Sequence, residues 1–249
     1  MNNIIEAEAI LPSKGKFYND IDEKIVFRSL TTADEQKIFG SSSNATLDRV
    51  LDDCLIEPKV SVNKFIPADK QFYMLKLRIH TYGSEYKQMM YCPLCDTESE
   101  VKYNLDDVEV FEMDDSIPVP LKIRLPISKD VLVLNVLNCE QLENIKNQAA
   151  KRAKSTGAAI GEVQFFLRLK GRIATVNDEE LDSFRLDTYI RELHPKDRAY
   201  IDSAFKSIKV GYSSVVNVVC PKCKKEITIP FEVTGEFFNP TTEITFLWY

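Results

Sequence analysis

Two copies of one short pattern contain the residues of this chain that are best suited to chemistry. They are Cys92-Pro93-Leu94-Cys95 and Cys220-Pro221-Lys222-Cys223, each with two cysteines separated by two residues. Four thiolates arranged as two such pairs are the ligand set of a tetrahedral structural zinc site. We therefore predict one structural Zn²⁺ ion per polypeptide. Its predicted ligands are Cys92, Cys95, Cys220 and Cys223.

The two cysteine pairs lie in opposite halves of the sequence, so a shared zinc ion would connect the halves. Closing so long a loop costs roughly 4 kcal/mol of chain entropy. Structural zinc sites bind with apparent energies of about 10 to 16 kcal/mol, so the separation in sequence does not exclude the site. The pattern leaves open whether one chain supplies all four ligands or two chains share them.

Two other interpretations of the cysteine pairs are a pair of reduced turns without metal and a thioredoxin-like redox site. Redox chemistry requires the pair at a helix N-terminus, where the helix dipole lowers the thiol pKa. Both pairs here are flanked by strand-like sequence instead. Cys139 lies near a predicted helix start, but without a neighbouring histidine a capping or core position suits it better.

The remaining residues give no sign of an enzyme. His80 and His194 are the only histidines, and neither has the spacing of a metal ligand or of a catalytic pair. The sequence contains no G-x-G-x-x-G, no phosphate-binding loop and no H-E-x-x-H motif. We predict a protein without catalytic residues.

Alternating apolar residues on both sides of each cysteine pair predict the elements that position the sulfurs. Tyr86 to Tyr91 precede the first pair and Val101 with Tyr103 follow it. Val215 to Val219 precede the second pair, and Ile227 and its alternating neighbours follow it. Period-two alternation is typical of strands. Each pair is therefore predicted at the tip of a β-hairpin, and the two hairpins together would form a zinc-ribbon-like module.

The cysteine pairs belong to a longer internal repeat. Shifting the sequence by 128 positions superposes five pairs of residues: Asp69 on Asp197, Gly83 on Gly211, Cys92 on Cys220, Cys95 on Cys223 and Tyr103 on Phe231. A shorter match at another offset aligns Val26 to Leu30 with Val133 to Leu137. We predict a pseudo-duplicated α+β fold with an N-terminal half, residues 1–115, and a C-terminal half, residues 116–249, that contains a helical insertion.

Helix signals lie between the predicted strands. Thr32 and Glu35 suggest a capping box for a short helix that ends at Gly40, and Gly83 is predicted to end a helix that opens near Asp69. Asn138 is placed to cap a later helix, the first of four predicted before the second hairpin. Apolar residues at helical spacing predict a core-facing helix that includes Cys54: Leu47, Val50, Leu51, Cys54 and Leu55.

Composition limits the classes of function. The chain has 249 residues and a formal net charge of -6, which disfavours general nucleic-acid binding because phosphate contacts need a concentrated basic face. No apolar run approaches the roughly 20 residues of a membrane span. Met1 to Ile10 lack the features of a signal peptide. We expect a cytosolic protein, in whose reducing surroundings paired cysteines are more often metal ligands than disulfides.

Several motifs in order resemble those of a known family. Leu11-Pro12-Ser13-Lys14-Gly15 is followed by Tyr18, Phe27-Arg28-Ser29-Leu30-Thr31 joins a strand to a helix, and Arg78 with Tyr82-Gly83 precedes the first cysteine pair. This combination resembles baseplate hub proteins of tailed phages of the T-even type, the T4-like myoviruses. The resemblance covers most of residues 10 to 110, and the second cysteine pair extends it.

The resemblance implies a late viral protein that works in the cytoplasm of the infected host cell with baseplate hub proteins as partners. It implies an assembly factor that acts catalytically. Our hypothesis for the mechanism is that the factor favours one conformer of a hub subunit without changing a covalent bond. The resemblance supplies no active-site residues. The alternatives are a stoichiometric structural component of the hub and a zinc-ribbon nucleic-acid module that uses Lys222, Lys224 and Lys225.

The C-terminal residues form an apolar segment that is a candidate docking peptide for a partner. It consists of Phe246, Leu247, Trp248 and Tyr249. Terminal segments also fold back onto the core of their own chain, and this second interpretation stays open. The sequence identifies neither the client subunit nor the oligomeric state.

Overall fold

A computed structural model describes residues 5–41, 43–233 and 235–238. In this part of the chain the architecture is mixed α+β, with seven α-helices and several small antiparallel sheets. The helices are α1 (Thr32–Phe39), α2 (Asn44–Cys54), α3 (Pro67–Tyr82), α4 (Cys139–Thr156), α5 (Ile160–Arg172), α6 (Ser183–Glu192) and α7 (Pro195–Ser207). The predicted α+β class and the four helices before the second hairpin are confirmed.

The strands are short and pair mostly with their neighbours in sequence. They are β1 (Glu6–Ile10), β2 (Lys24–Arg28), β3 (Leu55–Glu57), β4 (Glu85–Cys92), β5 (Thr97–Asn104), β6 (Val110–Phe111), β7 (Leu121–Arg124), β8 (Val131–Leu134), β9 (Ile173–Val176), β10 (Gly211–Tyr212), β11 (Val215–Val219) and β12 (Glu226–Pro230). Single 3-10 turns cover Val62–Lys64, Leu105–Asp107 and Gly235–Phe238.

The N-terminal half is built on a sheet in the order β1-β2-β3 and on the long helix α3. Phe27 of β2 and Tyr73 of α3 are buried, and their rings meet edge to face at 5.5 Å between centroids. The same core includes Phe231 and Phe237 from the end of the described chain. The C-terminal residues of this core therefore pack on the N-terminal half.

The C-terminal half has its own sheet and core. Its sheet has the order β7-β8-β9, and its core combines sheet residues such as Leu132 with helix residues such as Ile190 and Ile201. Helices α4 and α5 pack on each other through a smaller cluster that includes Ile145 and Leu167. Two residues of β6 pair with two residues of β10, which joins the halves by backbone hydrogen bonds.

The two halves share one order of elements. Each has a three-stranded antiparallel sheet with two helices between its second and third strands, and each later contains a helix that starts at proline with a buried aspartate at its third residue, Asp69 in α3 and Asp197 in α7. Gly83 and Gly211 follow these helices with φ of 84° and 120°, a region that glycine enters without steric cost. A two-stranded hairpin comes next in both halves, β4-β5 and β11-β12.

The predicted helix ends agree with the structure except at α1 and at α2, where Leu55, predicted on the helical face with Cys54, instead begins β3 and pairs with Phe27 of β2. Asn138 caps α4 and Gly83 ends α3, as predicted. The capping box of α1 is formed by Thr31 and Asp34, one residue earlier than the predicted Thr32 and Glu35. The shift has a tertiary cause, because Asp34 is 3% exposed and also accepts a hydrogen bond from Arg28 at 2.8 Å.

Asp34 gives a prediction for the dependence of stability on pH. Although burial alone would raise its pKa, hydrogen bonds from Arg28 and Thr31 lower the pKa to about 2. A carboxyl group whose pKa is lower in the folded protein stabilises it above its unfolded pKa of about 3.9. This contribution is lost as the pH falls toward about 2.

We expect Asp34→Asn to lower the free energy of unfolding by about 2 kcal/mol at neutral pH, and to lower it progressively less below about pH 4. Urea denaturation at several pH values measures both quantities. Asp107→Asn is the control, since this exposed carboxyl makes no hydrogen bond that involves its side chain among the described contacts. If the difference in free energy of unfolding between the wild type and Asp34→Asn does not change with pH, the lowered pKa assigned to Asp34 is wrong.

Candidate metal centre

Both cysteine pairs lie at hairpin tips of the same conformation. Cys92 is the last residue of β4, and Cys220 directly follows β11. In the first tip the N–H of Asp96 donates to the Cys92 carbonyl at 2.9 Å, and in the second the N–H of Lys224 donates to the Cys220 carbonyl at 2.9 Å. Asp96 and Lys224 have φ of 57° and 60°. This left-handed residue turns the chain into the second strand of each hairpin.

The structure brings the four predicted cysteines together within one chain. Their Sγ atoms all lie within 4.8 Å of one another. Cys92 Sγ is 3.8 Å from Cys223 Sγ, and Cys95 Sγ is 3.8 Å from Cys220 Sγ, so each contact joins the two hairpins. Four sulfurs at about 2.3 Å from one tetrahedral zinc ion lie about 3.8 Å apart. The donor type and spacing therefore fit such an ion.

An apolar layer between the hairpins surrounds the sulfurs. Met90 and Val101 from the first hairpin pack against Val218, Ile227 and Ile229 from the second. Cys92 and Cys220 are buried, whereas Cys95 and Cys223 are partly exposed. The layer limits the access of water to two of the four sulfurs.

Backbone N–H groups and the neighbouring sulfurs control the ionisation of the second pair. Hydrogen bonds from the N–H groups of Cys223 and Lys222 lower the pKa of the Cys220 thiol to about 6. The N–H of Lys225 acts in the same direction on Cys223, but burial and the adjacent sulfurs outweigh it and raise the Cys223 pKa to about 11. Crowded thiolates repel one another, and a divalent cation among them would remove that repulsion.

The other two cysteines are not activated nucleophiles. Burial raises the pKa of the Cys54 thiol to about 12, and Cys54 belongs to the N-terminal core as predicted. Cys139 is the first residue of α4, and burial raises its pKa to about 11. A reactive thiolate requires a lowered pKa, so neither residue supports a thiol enzyme.

Both histidines make structural contacts with backbone atoms. His80 Nε2 lies 2.9 Å from the Ile5 carbonyl oxygen, and the His80 ring meets the Phe27 ring edge to face. His194 caps α7, where its Nδ1 accepts a hydrogen bond from the N–H of Lys196 at 3.1 Å. Within the described residues, the cysteine cluster is the only group of three or more His, Cys, Asp or Glu side chains that could hold a metal ion.

Sequence reasoning missed one polar residue beside the sulfurs. Thr97 Oγ1 lies 3.0 Å from Cys95 Sγ. The available signal was its position, because Thr97 is the second residue after the first cysteine pair and begins β5.

The predicted docking residues Phe246, Leu247, Trp248 and Tyr249 lie outside the described residues. No helix among the described residues is long and apolar enough to span a membrane.

The fold and the cysteine cluster define a class of protein: an α+β protein in which two β-hairpins bring together four sulfurs suited to a structural metal ion. Comparison with protein families specifies the class further. The family model described as T4 bacteriophage base plate protein matches residues 2–239, and the chain belongs to this family. The expected relation to T4-like baseplate proteins is thereby confirmed. No curated protein and no solved structure matches the chain.

Proposed function

We propose that the four cysteines bind one structural Zn²⁺ ion and that the hairpins around it form a zinc-ribbon-like module. The observation that carries this proposal is the convergence of four Sγ atoms within 4.8 Å. The ligands would be Cys92 and Cys95 from the first hairpin and Cys220 and Cys223 from the second. A bound zinc ion would neutralise the crowded thiolates and hold the two halves together, with no part in a reaction.

We further propose that the protein is an assembly factor for the baseplate hub. Membership of the base plate family supports hub proteins as partners and makes an enzymatic role unusual. A fold whose two halves are held together at a metal site presents a rigid surface to a hub subunit. Such a surface favours the conformer that it binds more tightly, and no covalent bond needs to change. The protein would act in the host cytoplasm.

We also propose that residues 1–115 and 116–249 are two related units derived from one ancestral unit. The shared order of elements supports this, as do the equivalent positions of Asp69 and Asp197 and of Asp96 and Lys224 at the 128-residue offset. In this proposal α4 and α5, between β8 and β9, correspond to α1 and α2, between β2 and β3, and the helical insertion in the second unit is α6, where the first unit has only the 3-10 turn Val62–Lys64.

An assembly assay tests the proposed role. Extracts of cells infected with a phage that lacks this protein would receive labelled purified protein in amounts below those of the hub subunits. We expect more completed hubs than added molecules and no label in purified baseplates. Label incorporated in a fixed ratio to hubs would instead establish the alternative, a stoichiometric component of the hub. Failure to promote hub formation at any ratio would contradict both roles.

The C-terminal residues 246–249 remain a proposed docking segment for the hub subunit. Their apolar composition supports this proposal. A chain that ends at residue 245 would decide between docking and core packing. Unchanged thermal stability with lost promotion of hub assembly supports docking, whereas loss of stability contradicts it.

A further inference from the structure

We infer that Thr97 is a positioning residue of the cysteine site, whose hydroxyl holds the Cys95 sulfur in place as a metal ligand. The inference rests on the proposed zinc site and concerns a residue outside its four ligands. Its basis is the distance of 3.0 Å between Thr97 Oγ1 and Cys95 Sγ. No other side-chain hydroxyl contacts a sulfur of the cluster among the described hydrogen bonds.

The place of Thr97 in the first hairpin fixes the direction of its side chain. Thr97 lies opposite Cys92 in the β4-β5 register, and directly opposed residues of an antiparallel pair project to the same face. The hydroxyl therefore lies on the side of the sulfurs. A thiolate ligand has no proton, so in the metal-bound site the hydroxyl must donate to Cys95 Sγ. Such a hydrogen bond to a charged acceptor stabilises it and fixes the ligand orientation.

The second hairpin has no equivalent of this contact. At the 128-residue offset Thr97 corresponds to Lys225, which has no hydroxyl. The contact between Thr97 and Cys95 is therefore specific to the first hairpin, and a substitution of Thr97 can remove it. Cys95 is also one of the two partly exposed cysteines, where a lost hydrogen bond would favour release of the ligand.

Ser99 supplies an internal control for the role of the hydroxyl. It is two residues beyond Thr97 on β5, so it projects to the same face. Its Oγ is buried and has no hydrogen-bond partner within the described part of the chain. Removing an unpaired buried hydroxyl should have a neutral or stabilising effect. Ser99→Ala therefore removes a hydroxyl from the same layer without removing a contact to sulfur.

Metal exchange in the full-length protein tests the inference. We would compare the wild type with Thr97→Val, Thr97→Ser and Ser99→Ala, and measure the rate at which a chelator removes zinc. We expect Thr97→Val to release zinc about tenfold faster, the lower end of the effect of removing a hydrogen bond to a metal ligand. Thr97→Ser and Ser99→Ala should release zinc at a rate within about twofold of the wild-type rate.

A second measurement separates positioning from general stability. With Co²⁺ in place of zinc, the sulfur-to-cobalt charge-transfer absorption reports the electron density on the thiolates. We expect this absorption to shift in Thr97→Val and to be unchanged in Thr97→Ser and Ser99→Ala. Thr97→Ala carries the same expectation as Thr97→Val and replaces it if the valine variant does not fold.

The outcomes distinguish this inference from the proposed zinc site. If the wild type binds neither zinc nor cobalt, the zinc site is wrong and the role of Thr97 is wrong with it. If the wild type binds one ion per chain while Thr97→Val and Thr97→Ala match it in release rate and cobalt spectrum, only the inference about Thr97 is overturned. An equal acceleration in Ser99→Ala would also overturn it, because the effect would then reflect packing.

Discussion

Replacement of Cys220 by serine should lower the free energy of unfolding by about 5 kcal/mol or more and abolish stoichiometric zinc binding. Cys220 is fully buried, and its Sγ lies 3.8 Å from Cys95 Sγ across the hairpin interface. Serine is a poor zinc ligand, so the variant loses both the metal ion and the connection between the halves that the ion provides. A loss of this size is comparable with the whole stability of a typical domain, about 5 to 15 kcal/mol.

Thermal unfolding followed by circular dichroism, together with elemental analysis of the purified protein, measures both effects of Cys220→Ser. Cys139→Ser is the control for replacing a cysteine as such, because Cys139 lies outside the cysteine cluster and, unlike the buried Cys220, is partly exposed. It should retain one zinc per chain. Treating the wild type with a chelator should lower its thermal stability to that of Cys220→Ser. The same treatment should not change the thermal stability of the variant. A Cys220→Ser protein with wild-type thermal stability would show that the cysteines are not structural zinc ligands.

Asp69→Ala is expected to lower the free energy of unfolding by about 3 kcal/mol. The Asp69 carboxylate is fully buried and accepts hydrogen bonds from the N–H of Ser13 at 3.1 Å and the hydroxyl of Tyr18 at 2.5 Å. The Ser13 hydroxyl donates to it as well. Alanine would leave these donors buried without an acceptor, and each unpaired buried donor costs about 1 to 3 kcal/mol.

Urea denaturation of Asp69→Ala and Asp69→Asn tests this assignment. Burial raises the pKa of the Asp69 carboxyl, against the effect of its hydrogen bonds from Ser13 and Tyr18. The neutral asparagine keeps one oxygen acceptor, so it should lose less stability than alanine. Asp107→Ala at an exposed site should change the free energy by no more than about 0.5 kcal/mol. Equal values for Asp69→Ala and Asp107→Ala would contradict a role of Asp69 in anchoring the Ser13 turn.

The repeated aspartates Asp69 and Asp197 show which features the internal sequence repeat predicted and which it did not. The 128-residue offset paired Asp69 with Asp197 without showing what either residue binds. In the structure Asp197 accepts hydrogen bonds from the N–H groups of Ile127 and Ser128 at 2.8 and 3.0 Å, as Asp69 accepts that of Ser13. Each aspartate anchors a turn that lies far away in sequence. Helical periodicity cannot reveal such a contact, because it reports only neighbours along one element.

Arg78 is a similar case. The sequence marked it only as part of a family motif, but it is 1% exposed, and its Nε and Nη1 donate to the carbonyl oxygens of Phe237 and Gly83, both at 3.1 Å. Its guanidinium also lies 4.6 Å from the centre of the Tyr82 ring. Arginine is rarely fully buried without partners. Its partners here come partly from the far end of the described chain, so no local pattern indicated its burial.

The sequence by itself determined the four cysteines, the hairpins that present them, the α+β class and the helix ends at Gly40, Gly83 and Asn138. Each of these follows from side-chain periodicity or from hydrogen bonds within a few residues, which are properties of local sequence. Only the tertiary structure decided that one chain brings all four sulfurs together, that Arg78 donates to the Phe237 carbonyl and that Asp69 and Asp197 anchor distant turns. These contacts depend on how separate sheets and helices pack, which is fixed by the burial of the whole core.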